Sequence, residues 1–407
     1  MRQNKQNILF LSSWSYREPL VHSYLLPNVR IIRKIIPSDC KIFVQTSEKE
    51  ELKFDKSTAE EIRNALKDEG IEWLAMPYKR FGFGAIIGYV IQIFKLCLFV
   101  QKNEINVLHP FAPAAGTTAL FLRFFTRKKL VVDSWEPHAD SMVETGVWRR
   151  NSFAYKILKW SEKKQTQHAD VFIAASRRMP QYAQENFGNF SGRVLFRPAC
   201  VDTAVFKRNE NFRKSIREKN GWENKVVCAC VSKLGGLYLK EDVFRFFHAG
   251  KLVFGARFHA LLLSEHNEEE VRKMASAAGL NAEFFTHTHA KFEEVPSWLS
   301  ACDFAFNPQQ PVPSKRYGTP VKDGEYWAMG LPLVILPDIS DDSEIVKSEN
   351  AGVILQSLSD DDMILAMKNT HRLLEENPHV HSHIREIAIK YRSYDIATKT
   401  YQDIYGA

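Results

Sequence analysis

Short apolar runs alternating with helix-length segments constrain this chain more than any other feature. In the first half the runs are Asn7 to Leu11, Lys41 to Thr46, Asn106 to His109, Leu130 to Asp133, Val171 to Ala174 and Arg193 to Phe196. The pattern then restarts with Val226 to Val231, Phe258 to Ser264, Ala282 to Phe285, Phe304 to Asn307, Leu333 to Leu336 and Gly352 to Leu355. Brief β-rich runs bounded by polar turns read as strands, and strands without polar alternation are covered on both faces. Strand, helical crossover, strand, repeated this often, gives parallel sheets with helices on both sides. The polar, charge-rich segment Lys207 to Lys225 parts the two series. The expectation is an α/β fold of two Rossmann-like, doubly wound domains facing across a cleft. Residues 1–202 form the first, 203–225 an interdomain linker, 226–383 the second, and 384–407 a final helical stretch. Open parallel sheets bind ligands at the C-terminal ends of their strands, so the residues just after each strand are the candidates for chemistry.

At 407 residues the chain has the length for two such domains. Its 45% apolar and 25% charged residues exclude a disordered or fibrous chain. The net charge of +7 is uneven: residues 1–200 hold 30 Lys and Arg against 19 Asp and Glu, a net of +11, and the remainder nets −4. A basic half attracts nucleic acid, an anionic membrane or a phosphorylated substrate. Zinc-finger spacing, an RNP-type motif and long Lys/Arg runs are all missing, so nucleic acid is set aside as a partner. The six cysteines, 40, 97, 200, 228, 230 and 302, show no CxxC and no metal-type spacing, which reads as small buried hydrophobes in a reducing compartment. Ile8 to Leu11 is shorter than a secretory apolar core, and a cytoplasmic location follows. The segment Gly84 to Gln101 nears a membrane span in length, but Lys95 interrupts it. Gly84, Gly88, Gln92 and Lys95 align on one face, so a buried helix with a thin exposed stripe is expected, ahead of one lying on or crossing a membrane.

Two segments carry patterns suited to a phosphorylated ligand. After the first strand of the second domain comes Ser232-Lys233-Leu-Gly235-Gly236-Leu-Tyr238-Leu-Lys240, opening a helix. Paired glycines let backbone N–H groups approach an anion, the helix start adds partial positive charge, and Lys233 and Lys240 supply full charge. It is neither a Walker loop nor GxGxxG. Farther on, Pro320 precedes a short helix carrying Lys322 and Glu325 one turn apart, closed by Gly330 and followed at once by an apolar strand. A carboxylate fixed there accepts two hydrogen bonds from a ribose diol, each worth about 1.5–3 kcal/mol because the acceptor is charged. His287 and His289 lack a carboxylate partner, and no metal is expected.

The run Pro320 to Pro332, PVKDGEYWAMGLP, resembles the donor-binding signature of family 4 type glycosyltransferases, which have the two-domain GT-B fold. Glu162 with His168 to Ser176, Pro198 to Asp202 with Phe206, and Pro296 to Asp303 resemble the same family in its order and spacing, so the likeness spans roughly residues 105 to 355. The resemblance implies transfer of a sugar from a nucleotide-sugar donor to an acceptor with retention. It implies no metal and no cofactor, the nucleotide-sugar being a substrate. By position Glu325 matches the second glutamate of the family's E-x7-E motif, which implies that it holds the donor ribose. Lys233 falls at the family's phosphate-binding Arg, and the second phosphate cation falls on Leu239, one residue short of Lys240. Tyr317 stands where the first glutamate of the motif belongs. The P-x-K-x-x-E form is similar to a recurrent variant in which the lysine, here Lys322, faces the phosphates. The last helical stretch is implied to cross back onto the first domain.

In the first domain, Asp133-Ser-Trp135-Glu136-Pro-His138 resembles the family's D-x-H-E turn, with Trp135 where His is common. His109 ends the preceding strand near the place of the family's sugar-contacting His. Either His109 or the Glu136–His138 turn would position or deprotonate an acceptor hydroxyl, and both readings stay open. Trp14, Tyr16 and Arg17, after the first strand, suit an acceptor-side sugar or phosphate and equally suit loop packing. The basic half favours a lipid-phosphate acceptor at the cytoplasmic face of a membrane over nucleic acid, and the resemblance implies a saccharide or lipid-linked acceptor in bacterial surface polysaccharide or lipopolysaccharide biosynthesis. Two other readings share the architecture. A nucleotide-sugar epimerase would convert donor with no acceptor present, and a catalytically silent protein would bind nucleotide and transfer nothing.

Overall fold

The computed structural model describes residues 6–78, 83–134 and 136–406, so Trp135 lies outside the described residues. The chain forms two compact units: residues 1–144, 148–198 and 394–407 make unit 1, and residues 145–147 and 199–393 make unit 2.

Unit 1 is built on a parallel sheet of β1 (Asn7–Leu11), β2 (Ile42–Glu48), β3 (Ile71–Pro77), β4 (Ile105–Pro110), β5 (Lys129–Ser134), β6 (Val171–Ala174) and β7 (Arg193–Phe196). Their order is β3-β2-β1-β4-β5-β6-β7. Every residue of β1 is buried, as a central strand covered on both faces requires. The order reverses between β1 and β4, which marks the switch point where such sheets take ligands. Strand β3 is an addition to the sequence expectation. It is an edge strand in which exposed Glu72 sits between buried Ile71 and Trp73, so it lacks the unbroken apolar run that marks its neighbours.

Unit 2 carries β8 (Val226–Val231), β9 (Phe258–Leu263), β10 (Phe285–Thr288), β11 (Phe304–Phe306), β12 (Leu333–Ile335) and β13 (Gly352–Ile354) in the parallel order β10-β9-β8-β11-β12-β13. Its core is aromatic: Phe246 of the helix Glu241–Phe254 stacks on Phe306 with ring centroids 4.0 Å apart, and Tyr326 and Trp327 are fully buried. The strand expected at Ala282 to Phe285 starts three residues later, because a 3-10 turn occupies Ala282–Phe284.

Three expectations require correction. Residues 203–225 are not a linker, since they contain the helix Glu210–Asn220, which belongs to unit 2. Asn209 caps that helix, and nearly buried Arg217 pairs with Asp303 at 3.2 Å, so its polar composition describes only the outer face. The stretch 384–407 is divided: the helix Val380–Arg392 stays in unit 2, and only Tyr394–Tyr405 lies in unit 1, where the Tyr401 hydroxyl donates to Asn28 at 3.0 Å. The segment around Gly84 to Gln101 is indeed a helix, Phe83–Lys102, but its outward face is apolar, with Gly88 and Gln92 half-buried. Among its described residues Ile93, Leu96 and Val100 are the buried ones, because the helix touches the rest of the unit along one side.

Candidate functional site

The second unit gathers its candidates at the C-terminal ends of β8 and β11. The β8 loop turns at Gly235 and Gly236, with φ of +83° and +63°, a region that favours glycine. It is fastened to the loop after β11 at several points. The Leu239 N–H donates to the Pro308 carbonyl at 2.7 Å, and the Gln310 side-chain amide donates to the Gly236 carbonyl at 2.7 Å. Tyr238 and Gln309 form an antiparallel bridge. The Leu234 N–H donates to His266 at 2.8 Å, and the Tyr326 hydroxyl accepts the Val231 N–H at 2.7 Å, which ties the end of β8 to the helix Val321–Ala328. Gln310, His266 and Tyr326 were not singled out from the sequence, since each is an ordinary polar residue until the strands bring it under the loop.

That same helix carries Lys322 and Glu325. The Lys322 ammonium donates to Glu325 Oε2 at 2.8 Å; the carboxylate is 1% exposed and the lysine about a third. An ammonium has three donors, and one is committed here. Lys233 is exposed on the β8 loop. Lys240 is exposed too and lies 3.6 Å from Glu241, while Leu239 is buried, so the position matched to the family's second cation belongs to the core. Half-buried Tyr317 closes the turn Pro313–Tyr317. Beneath the site, Asp323 accepts two bonds from Asn307, and Arg392 bonds Asp342 and Thr319. Burial first, and the Asp342 charge second, push the Asp323 carboxyl well up.

In unit 1 the structure separates the two sequence candidates. His109 is completely enclosed: Nδ1 lies 2.8 Å from the Tyr405 hydroxyl and the ring stacks on Phe111 at 4.9 Å. Burial, reinforced by the Arg197 charge, holds its pKa well below the usual histidine range. Arg197 pairs with Asp133 at 2.5 Å and bonds the Tyr24 hydroxyl. An imidazole with no exposed atom does not reach an acceptor hydroxyl, so in this arrangement His109 is a core residue.

Glu136 and His138 are brought together in the turn between β5 and the helix His138–Glu144. Glu136 Oε1 lies 2.9 Å from His138 Nδ1, with the imidazole 30% exposed and the carboxyl 8%. Glu162 supports the turn from below, accepting the Ala139 N–H at 2.9 Å with Oε1, while its Oε2 has no hydrogen-bond partner. Both carboxyl groups line a cavity of about 10 Å³, along with Asp133, Gln165 and Thr166. Burial pushes the Glu162 carboxyl up to about 7, against the opposing pull of the Ala139 N–H and of His138.

The early loop packs chiefly on its own unit. Trp14 is half-buried; its N–H donates to the Ser12 hydroxyl at 3.0 Å and its carbonyl accepts the Ser47 N–H at 2.9 Å. Tyr16 is buried against Trp73 at 4.8 Å, and the Arg17 guanidinium covers Phe54 at 4.1 Å. All six cysteines are free, five of them buried and Cys97 half-buried. Among the described residues, groups of three or more His, Cys, Asp and Glu that could hold a metal ion are absent.

These two parallel-sheet α/β units define the GT-B class of fold. The chain resembles Anabaena HepE, solved in complex with UDP and glucose, over 98% of this chain and 99% of that one, with a TM-score of 0.71 and 15% identity. It resembles sucrose-phosphate synthase from Thermosynechococcus elongatus over 98% of both chains, with a TM-score of 0.74 and 11% identity. WaaG, a glycosyltransferase involved in lipopolysaccharide biosynthesis, aligns over 98% of this chain and 100% of that one, with a TM-score of 0.70 and 13% identity. No protein-family model and no curated protein sequence matches the chain.

Proposed function

We propose that this chain is a family 4 type, metal-independent glycosyltransferase that moves a sugar, with retention, from a uridine diphosphate sugar onto a saccharide or lipid-phosphate-linked acceptor in bacterial surface polysaccharide biosynthesis. The observation that carries the reading is the Lys322–Glu325 pair, held at a helix start beside the glycine loop at the strand ends of unit 2. The full-length likeness to a protein solved with UDP and glucose supports it.

In this reading Glu325 accepts the ribose hydroxyls, and Lys322, Lys233 and the backbone N–H groups of Gly235 and Gly236 receive the diphosphate. As the anomeric C–O bond of the donor breaks, negative charge grows on the departing diphosphate, and fixed cations there lower the barrier. The new C–O bond forms to the acceptor oxygen, whose proton passes to the Glu136–His138 pair or to the leaving phosphate. His138, more exposed than Glu136, is the member that faces a hydroxyl, while Glu136 orients its ring. Trp14, Tyr16 and Arg17 border the acceptor side. The protein works in the cytoplasm, peripheral to the inner face of the membrane.

A thermal-shift screen with UDP, GDP, TDP, CDP and CMP tests the reading. UDP should raise the melting temperature, and Glu325→Ala should abolish that rise. If none of the nucleotides stabilises the protein, the donor site is wrongly placed.

A further inference from the structure

The helix Phe83–Lys102 of unit 1 presents large apolar side chains to solvent where a soluble surface would carry polar ones. Ile93, Leu96 and Val100 point inward, while Ile87, Val90, Ile91, Phe94 and Leu98 are exposed, Ile87 by 71% and Phe94 by 64%. At 100° per residue these five positions fall within one arc of about 100°, opposite the buried side. Lys95 and Lys102, both exposed, lie along one edge of that arc. The neighbouring helix Ala112–Thr126 packs beside it, with the Tyr89 hydroxyl 3.0 Å from Thr118 and the Tyr89 ring 6.2 Å from Phe121. One turn beyond that contact it exposes Phe124 by 77% and Phe125 by 62%. Clustered exposed aromatics and aliphatics of this size mark an interaction surface.

The charges around it select the partner. From Trp73 to Val132 the chain carries eight Lys and Arg against one acidic residue, Glu104. Neither helix contains an Asp or Glu. Two copies meeting through this face would set Lys95, Lys102 and exposed Arg127 against their own kind. A surface that is apolar at its centre and cationic at its edge complements an anionic bilayer, into whose headgroup region an amphipathic helix sinks its apolar side. Among the described residues no helix is long and apolar enough to cross a membrane, so the contact lies along the surface.

We infer that the outer faces of the helices Phe83–Lys102 and Ala112–Thr126 dock unit 1 on an anionic lipid surface, with Phe94, Leu98, Phe124 and Phe125 entering the interface and Lys95, Lys102 and Arg127 contacting the headgroups. This deepens the proposed function, on which it rests for its purpose: a protein lying on the bilayer meets a lipid-linked acceptor without extracting it from the membrane. The test needs no sugar transfer, so its failure is separable from failure of that reading.

The full chain is sedimented with vesicles of phosphatidylcholine containing 30% phosphatidylglycerol and with pure phosphatidylcholine vesicles. The expected result is binding to the anionic vesicles that drops several-fold between 0.1 and 1 M salt, where the Debye length shrinks from about 10 to about 3 Å. Phe94→Glu with Leu98→Glu should weaken it at least about tenfold, because two side chains leave the apolar layer. Lys95→Glu with Lys102→Glu should erase the preference for anionic vesicles while sparing the apolar face. Melting temperature and UDP-induced stabilisation are read on each variant, and both should match the parent. Wild type that fails to sediment, or that binds both vesicle types equally, overturns the inference. Sedimentation velocity supplies the remaining outcome: a dimer dissolved by the Phe94 and Leu98 substitutions, with no vesicle binding, assigns the face to a second copy and overturns it as well.

Discussion

Glu325 in unit 2 and Glu162 in unit 1 are carboxyl groups of nearly equal burial, 1% and 5% exposed, and each lies on a helix, Val321–Ala328 and Phe153–His168. Their surroundings differ in one respect. Glu325 has an ammonium at 2.8 Å, whereas Glu162 has one backbone N–H for one oxygen, no partner for the other, and a pKa pushed up to about 7. A buried carboxylate is stabilised by a close cation, and without one the cheaper state is the protonated acid. Unit 2 therefore holds a fixed ion pair, and unit 1 holds a carboxyl that is about half protonated near pH 7 beneath the Glu136–His138 turn. This is the division expected if one unit grips a charged donor and the other handles an acceptor hydroxyl.

The largest change should follow from removing the charge beside His138 in unit 1. Glu136→Gln removes the charge that orients His138 and should lower turnover by about 10²- to 10⁴-fold, the usual share of a positioned acid–base group. UDP affinity measured by calorimetry should stay within twofold. Turnover that survives within threefold would place the chemistry outside this turn.

Next in size is the proton on Glu162. Because the folded pKa of Glu162, about 7, exceeds its ordinary value of 4.5, folding takes up a proton between those pH values. The stability this contributes is complete below about pH 4.5 and is lost as pH rises through 7, a change of about 3 kcal/mol. Glu162→Gln keeps an oxygen for the Ala139 N–H but cannot ionise. Urea midpoints at pH 5 and pH 8 should show the variant losing about 2–3 kcal/mol less than wild type across that interval. Asp133, Glu136, His138, Asp140, Tyr155, Lys159 and Tyr182 face the group and are the same in both proteins, so the difference isolates Glu162. Equal slopes would mean that Glu162 holds no proton near neutral pH. In unit 2 the corresponding change, Glu325→Gln, should weaken UDP by about 10- to 100-fold through loss of charged hydrogen bonds worth about 1.5–3 kcal/mol. A smaller effect there than at Glu136 would leave ribose binding to other groups.

Much of this was legible in the sequence for an identifiable reason. Strands such as β1 and β8 are buried on both faces and announce themselves as unbroken apolar runs, while β3 alternates at a sheet edge and passes for loop. The Lys322–Glu325 pair was legible because it is local, one helical turn apart. Glu162 was visible only as part of a motif; its support of Ala139 joins residues 23 positions apart, which periodicity does not register. His109 misled because the end of a central strand suggests a ligand contact, but here Tyr405 and Phe111 enclose it. The helix Phe83–Lys102 misled in the opposite sense. Its apolar composition reads as core, whereas packing allows a helix of the outer layer to bury only one side.

The smallest expected effect concerns which lysines hold the diphosphate. Lys240 projects from the loop toward Glu241, and its stem passes close to Gly235, with Lys240 Cδ 3.7 Å from the place a Cβ would take on that glycine. Exposed pairs of this kind contribute about 0–1 kcal/mol. Lys240→Ala should therefore change UDP affinity by no more than about threefold, while Lys233→Ala, which in the proposed donor site removes a charge-assisted bond to phosphate, should weaken it by about tenfold. Equal losses at both positions would mean that the loop rearranges around donor, turning at Gly235 and Gly236 to bring Lys240 inward. Such a movement would have to break the Leu239 N–H bond to Pro308 and the Gln310 bond to Gly236, which makes it testable by faster amide exchange at Leu239 on adding UDP. If Lys240 proves silent and Leu239 stays protected, the diphosphate is held by Lys233, Lys322 and backbone alone, and the loop acts as a rigid cradle.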